Sequence, residues 1–182
     1  MTAPDPSRRP APLWEGHYLT GGAPDRERVR AVLVTPDGAV VLFRRTVPGR
    51  DLYWTTPGGK VEDGETLLQA LARELDEELR ATADRFVLLT AVDRVHGPDE
   101  RLNRHYIFGC RLLRMRPEER YGPEFHPGNG LHEVDLIPLD AESLAAVDLV
   151  PPELRTLLIA NAPALRARYV TRSGQSRRAR PK

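Results

Sequence analysis

The sequence is poor in several things that would define a function class. It has one cysteine, Cys110, so an intrachain disulfide is excluded. Its neighbours Ile107, Phe108 and Leu112 predict a buried thiol rather than a nucleophile. No run approaches the ~18 apolar residues of a membrane-spanning helix, and the N-terminus lacks an apolar signal core. The expectation is a cytoplasmic protein with no membrane partner. Net charge is only +1, which gives no overall electrostatic case for nucleic acid. There is no internal repeat and no His/Cys cluster of the kind that holds zinc; His126 and His132 read as surface histidines. What remains is a 182-residue globular mix, 40% hydrophobic and 29% charged, enough for one domain with a full core.

Against that background one stretch stands out, Gly58 to Ala81, GGKVEDGETLLQALARELDEELRA. It opens on two glycines and continues as a helix pattern over about 66–79. At about 100° per residue, Glu74, Glu77 and Glu78 share one side. Leu68, Ala72, Leu75 and Leu79 define a separate apolar face that should pack on a sheet. Acidic residues on a helix are usually a solvated face. Here they follow a glycine turn and crowd together, although like charges at i,i+4 cost an isolated helix ~0.2–0.5 kcal/mol per pair. A bound cation would explain the cluster.

The order of residues is more specific. Gly59 is followed by five residues and Glu65, then by seven and Arg73-Glu74-Leu75, any residue, and Glu77-Glu78. This resembles the Nudix box, G-x5-E-x7-R-E-U-x-E-E-x-G-U with U apolar. Arg80 stands where the box has its last glycine. A left-handed helix end kept at Arg80 would cost ~1 kcal/mol; otherwise the helix runs on.

The resemblance implies hydrolysis of the pyrophosphate linkage in a nucleoside diphosphate joined to a group X, such as a nucleotide sugar, an ADP-ribose-like compound or a nucleoside triphosphate. It implies Mg²⁺, with Mn²⁺ possible, on Glu74, Glu77, Glu78 and the backbone carbonyl of Gly58. Arg73 would orient these carboxylates, with Glu65 behind it. The general base lies outside the box in some members of the family; Glu124 is the first candidate, with Glu118, Glu119 and Glu133 as rivals, or a box glutamate serves. A silent nucleotide sensor and a prenyl-diphosphate isomerase are the alternatives within the same family.

The rest of the chain supplies a scaffold. Residues 28–34 and 39–44 read as strands around the turn Thr35-Pro36-Asp37-Gly38. Residues 86–93, 104–115 and 134–138 read as further strands, the second with Tyr106, Phe108, Cys110 and Leu112 on one side. Residues 94–103 and 116–130 read as polar loops, and 141–146 and 152–161 as helices. Glu65 or Thr66 should cap the acidic helix. This order predicts an α+β fold, and the resemblance implies a Nudix-like α/β/α sandwich with a mixed central sheet. The domain should span 28–161. Residues 1–27 form an arm, its first part disordered, and 162–182 a C-terminal end with a basic, disordered tail. Arg44, Arg45 and Trp54 are candidates for substrate phosphates or base; Trp14, Tyr18 and Tyr106 could also stack a base, and Pro98 lies near a position used by nucleotide-sugar members of the family. The segment around Trp14 could instead meet a second subunit in a homodimer.

Overall fold

The structure, a computed structural model, describes residues 22–96, 100–121 and 130–170. Expectations for Trp14, Tyr18, Pro98, Glu124, His126 and both termini lie outside these residues.

Strands β1 (Arg26–Val34) and β2 (Ala39–Thr46) flank the expected turn, which Gly38 N–H closes on the Thr35 carbonyl at 3.0 Å. Then come β3 (Tyr53–Thr55), α1 (Leu67–Leu79), β4 (Thr82–His96) and β5 (Arg101–Arg114). A single 3-10 turn, Pro117–Glu119, precedes β6 (Leu131–Pro138), α2 (Ala141–Ala145), β7 (Leu149–Val150) and α3 (Pro152–Tyr169). The sheet order is β4-β5-β1-β2-β3-β7, with β6 on β2. The pairs β1/β5 and β3/β7 are parallel and the others antiparallel, so the sheet is mixed as expected.

The strands alternate faces with period 2. Val29, Ala31 and Leu33 of β1 join Phe108, Cys110 and Leu112 of β5 beneath α1. Val32, Val34 and Ile107 face the other way, beneath Leu154, Leu157, Leu158, Leu165 and Tyr169 of α3. The result is an α/β/α sandwich with a core on each side. Burial raises the Cys110 thiol to about 12, consistent with an inert core sulfur. No helix among the described residues is long and apolar enough to cross a membrane.

The site depends on how β1 and β2 part. Their register is Val34 opposite Val40, at the turn. Farther along, β1 hydrogen-bonds the glycine segment instead: Val29 N–H to the Gly59 carbonyl, Ala31 N–H to Pro57, and Val61 N–H to Glu27. One edge of β1 thus carries a strand, β5, and the other carries the Gly58-Gly59 turn.

Several expectations shift. The acidic helix starts where expected, and of the two cap candidates Thr66 does the capping. Its hydroxyl accepts from Gln69 N–H, while Gln69 Oε1 accepts from Thr66 N–H at 2.8 Å. The two faces of α1 are not separate, however. The buried stripe is Ala70, Leu71, Glu74, Leu75, Glu78 and Leu79, while Leu68 is 48% exposed and Ala72 is exposed. Leu75 and Leu79 are buried as expected. Leu68 is nearly in phase with them but sits on the first turn, and the acidic residues occupy the middle of the stripe because they lie over glycine. The loop expected at 94–103 is largely strand, with His96 opposite Arg101; its polar residues lie at the far end of a long hairpin, where pairing needs no apolar face. The helix expected to end at Asn161 continues through Pro163 to Tyr169. Burial of Ala162, Leu165 and Tyr169 outweighs the local proline signal. Gly109 makes room for this end: a Cβ there would lie 2.6 Å from the Tyr169 hydroxyl.

Arg80 keeps the left-handed helix end, at φ 45° and ψ 42°. Its N–H returns to the Asp76 carbonyl at 2.8 Å, its guanidinium pairs with Asp76 at 2.6 Å, and it lies 5.3 Å from the centroid of Tyr121. The left-handed backbone costs ~1 kcal/mol. The exposed ion pair and cation–π contact together return about as much. Arg80→Gly should therefore change the urea midpoint little. Arg80→Ala keeps the backbone cost, loses both contacts, and should destabilise by about 1 kcal/mol.

Candidate active site

Arg73 is the hub of the box. Its Nε and Nη2 donate to the two oxygens of Glu65 at 2.8 and 3.0 Å, a bidentate fork. Its Nη1 donates to Glu74 at 3.0 Å and Glu77 at 3.4 Å, and Nη2 also reaches the Lys60 carbonyl at 2.9 Å. One guanidinium therefore ties the turn to the helix and gathers three carboxylates. Hydrogen bonding from Arg73, then from Glu62 N–H, pushes Glu65 down to about 2. Hydrogen bonding to Glu65 first, then to Glu74, raises Arg73. Glu65 is thus paired with Arg73 through both of its oxygens.

Glu74 and Glu78 are only 9% and 8% exposed, and they lie against the glycines. A Cβ on Gly59 would sit 2.2 Å from Glu74 Oε1. Gly58, at φ 126°, donates its N–H to Glu78 Oε2 at 2.7 Å. The Gly58 carbonyl accepts from Arg30 Nη1, also at 2.7 Å, which leaves it one lone pair. Among the described residues no three His, Cys, Asp or Glu side chains are grouped as a ready metal site. The carboxylates instead turn to Arg73 and the Gly58 amide. The donors are nonetheless all oxygen, in a space kept clear by glycine, and so fit a hard divalent cation.

The remaining sequence candidates scatter. Arg44 lies opposite Glu133 across the β2/β6 ladder and pairs with it at 2.9 Å; Glu133, then Asp135, raises its pKa. Trp54 packs against the α3-side core and donates Nε1–H to Asp135 at 2.8 Å. Glu118 and Glu119 lie on the 3-10 turn, with Glu119 paired to Arg116 at 3.2 Å. Tyr106 packs in the α1-side core and donates its hydroxyl to Glu27 at 2.8 Å. Arg45, one of the three substrate candidates, lines a cleft. That cleft, ≈ 290 Å³, also holds Arg28, Arg30, Arg50 and Arg94. The sequence reading missed these four. The signal for two of them was the alternation RERVRAV in β1, which sends Arg28 and Arg30 to one face. Burial lowers Arg28, with Arg26 adding to the effect, and burial also lowers Arg30.

His132 is not a surface histidine. It is 6% exposed and meets Phe43 edge-on, the ring centroids 6.1 Å apart. Burial first, then the charges of Arg45 and Arg120, push it from 6.5 down to about 4. The unfolded chain therefore takes up a proton near pH 6.5 that the folded chain refuses until about pH 4. His132 thus makes stability fall as pH drops through this window, with a slope of at most ~1.4 kcal/mol per pH unit. Urea midpoints at pH 5 and 7 should differ less in His132→Gln than in the wild type.

A sequence model of the NUDIX domain matches residues 24–157. The 8-oxo-dGTP diphosphatase of Escherichia coli is 38% identical over 80 residues, 44% of this chain and 58% of that protein. The RNA pyrophosphohydrolase of Novosphingobium aromaticivorans is 34% identical over 82 residues, 43% of this chain and 51% of that one. The chain thus spans little more than half the length of these curated relatives. A solved NUDIX hydrolase from Nitrosomonas europaea superposes with a TM-score of 0.59 at 20% identity, over 76% of this chain and 88% of that one, a likeness of fold. With the box residues gathered on Arg73 and the domain match covering most of the described chain, this protein belongs to the Nudix family.

Proposed function

We propose that the chain is a divalent-metal-dependent pyrophosphohydrolase that cleaves a nucleoside diphosphate linked to a further group, with Mg²⁺ as its usual ion and Mn²⁺ as a substitute. The observation that carries this reading is the pair of buried carboxylates, Glu74 and Glu78, set over a glycine turn that leaves no side chain in their way. Relatives named for 8-oxo-dGTP and RNA pyrophosphate hydrolysis support a nucleotide-type substrate. Glu74, Glu77, Glu78 and the second lone pair of the Gly58 carbonyl would hold the ion. Bound there, it would neutralise phosphate charge and acidify a coordinated water. Arg73 sets the spacing of the carboxylates, and Glu65 fixes Arg73. Glu124 is the proposed general base on sequence grounds. A cytoplasmic setting, where nucleotides are abundant, suits this chemistry.

The test is release of phosphate or nucleoside monophosphate across a nucleotide panel with Mg²⁺, with Mn²⁺ and with EDTA. Activity should need the metal and vanish in EDTA. Binding of a nucleotide without turnover of any panel member, metal present, would replace this reading with that of a sensor.

A further inference from the structure

The arginine cleft lies next to the box. Gly58 joins them: its N–H meets Glu78 on one side, and its carbonyl meets Arg30, a cleft residue, on the other. Five arginines line the cleft, with no Asp or Glu among the lining residues. Arg94 pairs with Glu153 at 2.7 Å, whereas Arg28, Arg30 and Arg50 form no ion pair among the described residues. Glu153 offsets Arg94, and Glu74 and Glu78 across the glycine turn act on Arg28 and Arg30; the like charge left over in ≈ 290 Å³ is self-repelling and favours an anion there.

The chemistry of the lining says what kind of anion. Guanidinium groups donate hydrogen bonds and accept none, so they match a ligand that only accepts. Phosphate oxygens do only that. Sugar hydroxyls both donate and accept, and the main amide acceptor of the cleft, Asn103 Oδ1, is already used by Arg28 at 3.4 Å. A base stacked on Tyr53 is disfavoured as well. The guanidinium of Arg50 already covers that ring, 3.7 Å from its centroid.

We propose that this cleft takes additional phosphates of the substrate, so that the preferred substrates are polyphosphorylated compounds (a chain of three or more phosphates, or a phosphorylated group X) rather than nucleotides joined to an uncharged sugar. This rests on the pyrophosphohydrolase reading for the position of the scissile bond, but the cleft's preference can be measured without turnover.

The first arm is calorimetry with inorganic tripolyphosphate and with orthophosphate, in EDTA, on the wild type, Arg28→Gln and Arg50→Gln. Arg30 is left intact because it holds Gly58. Tripolyphosphate should bind more tightly than orthophosphate and weaken about tenfold with each arginine removed. Added salt should weaken it further. Thermal midpoints confirm that the variants are folded. Equal affinity in wild type and folded variants, or no preference for tripolyphosphate, overturns the proposal. The second arm compares kcat/KM for diadenosine tetraphosphate, ATP and ADP-ribose. The two polyphosphates should lead, and Arg50→Gln should raise their KM about tenfold while moving that of ADP-ribose little. ADP-ribose turned over best by the wild type, or its KM rising as much in the variant, also overturns it. If no panel member is hydrolysed, the enzymatic reading fails and the calorimetry still decides the cleft.

Discussion

Glu78→Gln should lower turnover by ~10²–10⁴-fold and leave the fold intact. The fold survives because the amide oxygen of glutamine can still accept the Gly58 N–H, the 2.7 Å bond that Glu78 makes now. What is lost is one negative charge at a position buried in the helix–sheet contact. If that charge supplies several kcal/mol of metal and transition-state stabilisation, each 1.36 kcal/mol is a factor of ten in rate. Turnover of the best panel substrate at saturating Mg²⁺, with circular dichroism as the control for folding, measures this. A folded Glu78→Gln protein with near-wild-type turnover would remove α1 from the chemistry.

The adjacent glycines should fail in different ways when changed to alanine. At Gly58 a Cβ would lie 2.2 Å from the Val29 carbonyl oxygen, in a backbone at φ 126°. Neither the sheet backbone nor this dihedral can yield cheaply, so Gly58→Ala should cost more than ~2 kcal/mol of stability. At Gly59 the obstacle is the carboxylate of Glu74, the end of a flexible side chain, and the backbone has no positive φ to object to. Glu74 can swing aside at small cost to the fold, which takes a proposed metal ligand and its bond to Arg73 out of place. Gly59→Ala should therefore keep its denaturation midpoint within about 1 kcal/mol and lose activity by ~10²-fold or more. Denaturation and turnover measured on both variants give the comparison. A Gly59→Ala protein that is fully active would show that Glu74 is free to move without consequence.

How much of this was legible beforehand follows from where the controlling interactions lie. The box, the capping residue and the Thr35–Gly38 turn are set by residues a few positions apart, and the sequence reads them well. Leu68 went wrong because helical phase does not say how far along the axis a sheet extends. The end of α3 went wrong because Tyr169 is held by the vacancy at Gly109, sixty residues earlier in the chain, while the proline lies only six away. The sequence does not show that strand register sets Glu133 beside Arg44 and Asp135 beside Trp54, because those partners lie some eighty residues away. The arginine cleft draws on β1, β2, β4 and the loop before β3, so no local window contains it.

Gly58 has a further electrical meaning. Its N–H belongs to the amide shared with Pro57 and faces a carboxylate, while its C=O belongs to the next amide, shared with Gly59, and faces a guanidinium. Two consecutive amide dipoles, each turned the favourable way toward its charge, thus meet at one Cα. A displacement of this residue is felt at both contacts, so whatever couples Glu78 to Arg30 through it acts by the same free energy in both directions. An anion in the cleft and a cation at the carboxylates would therefore communicate through the position of a single residue.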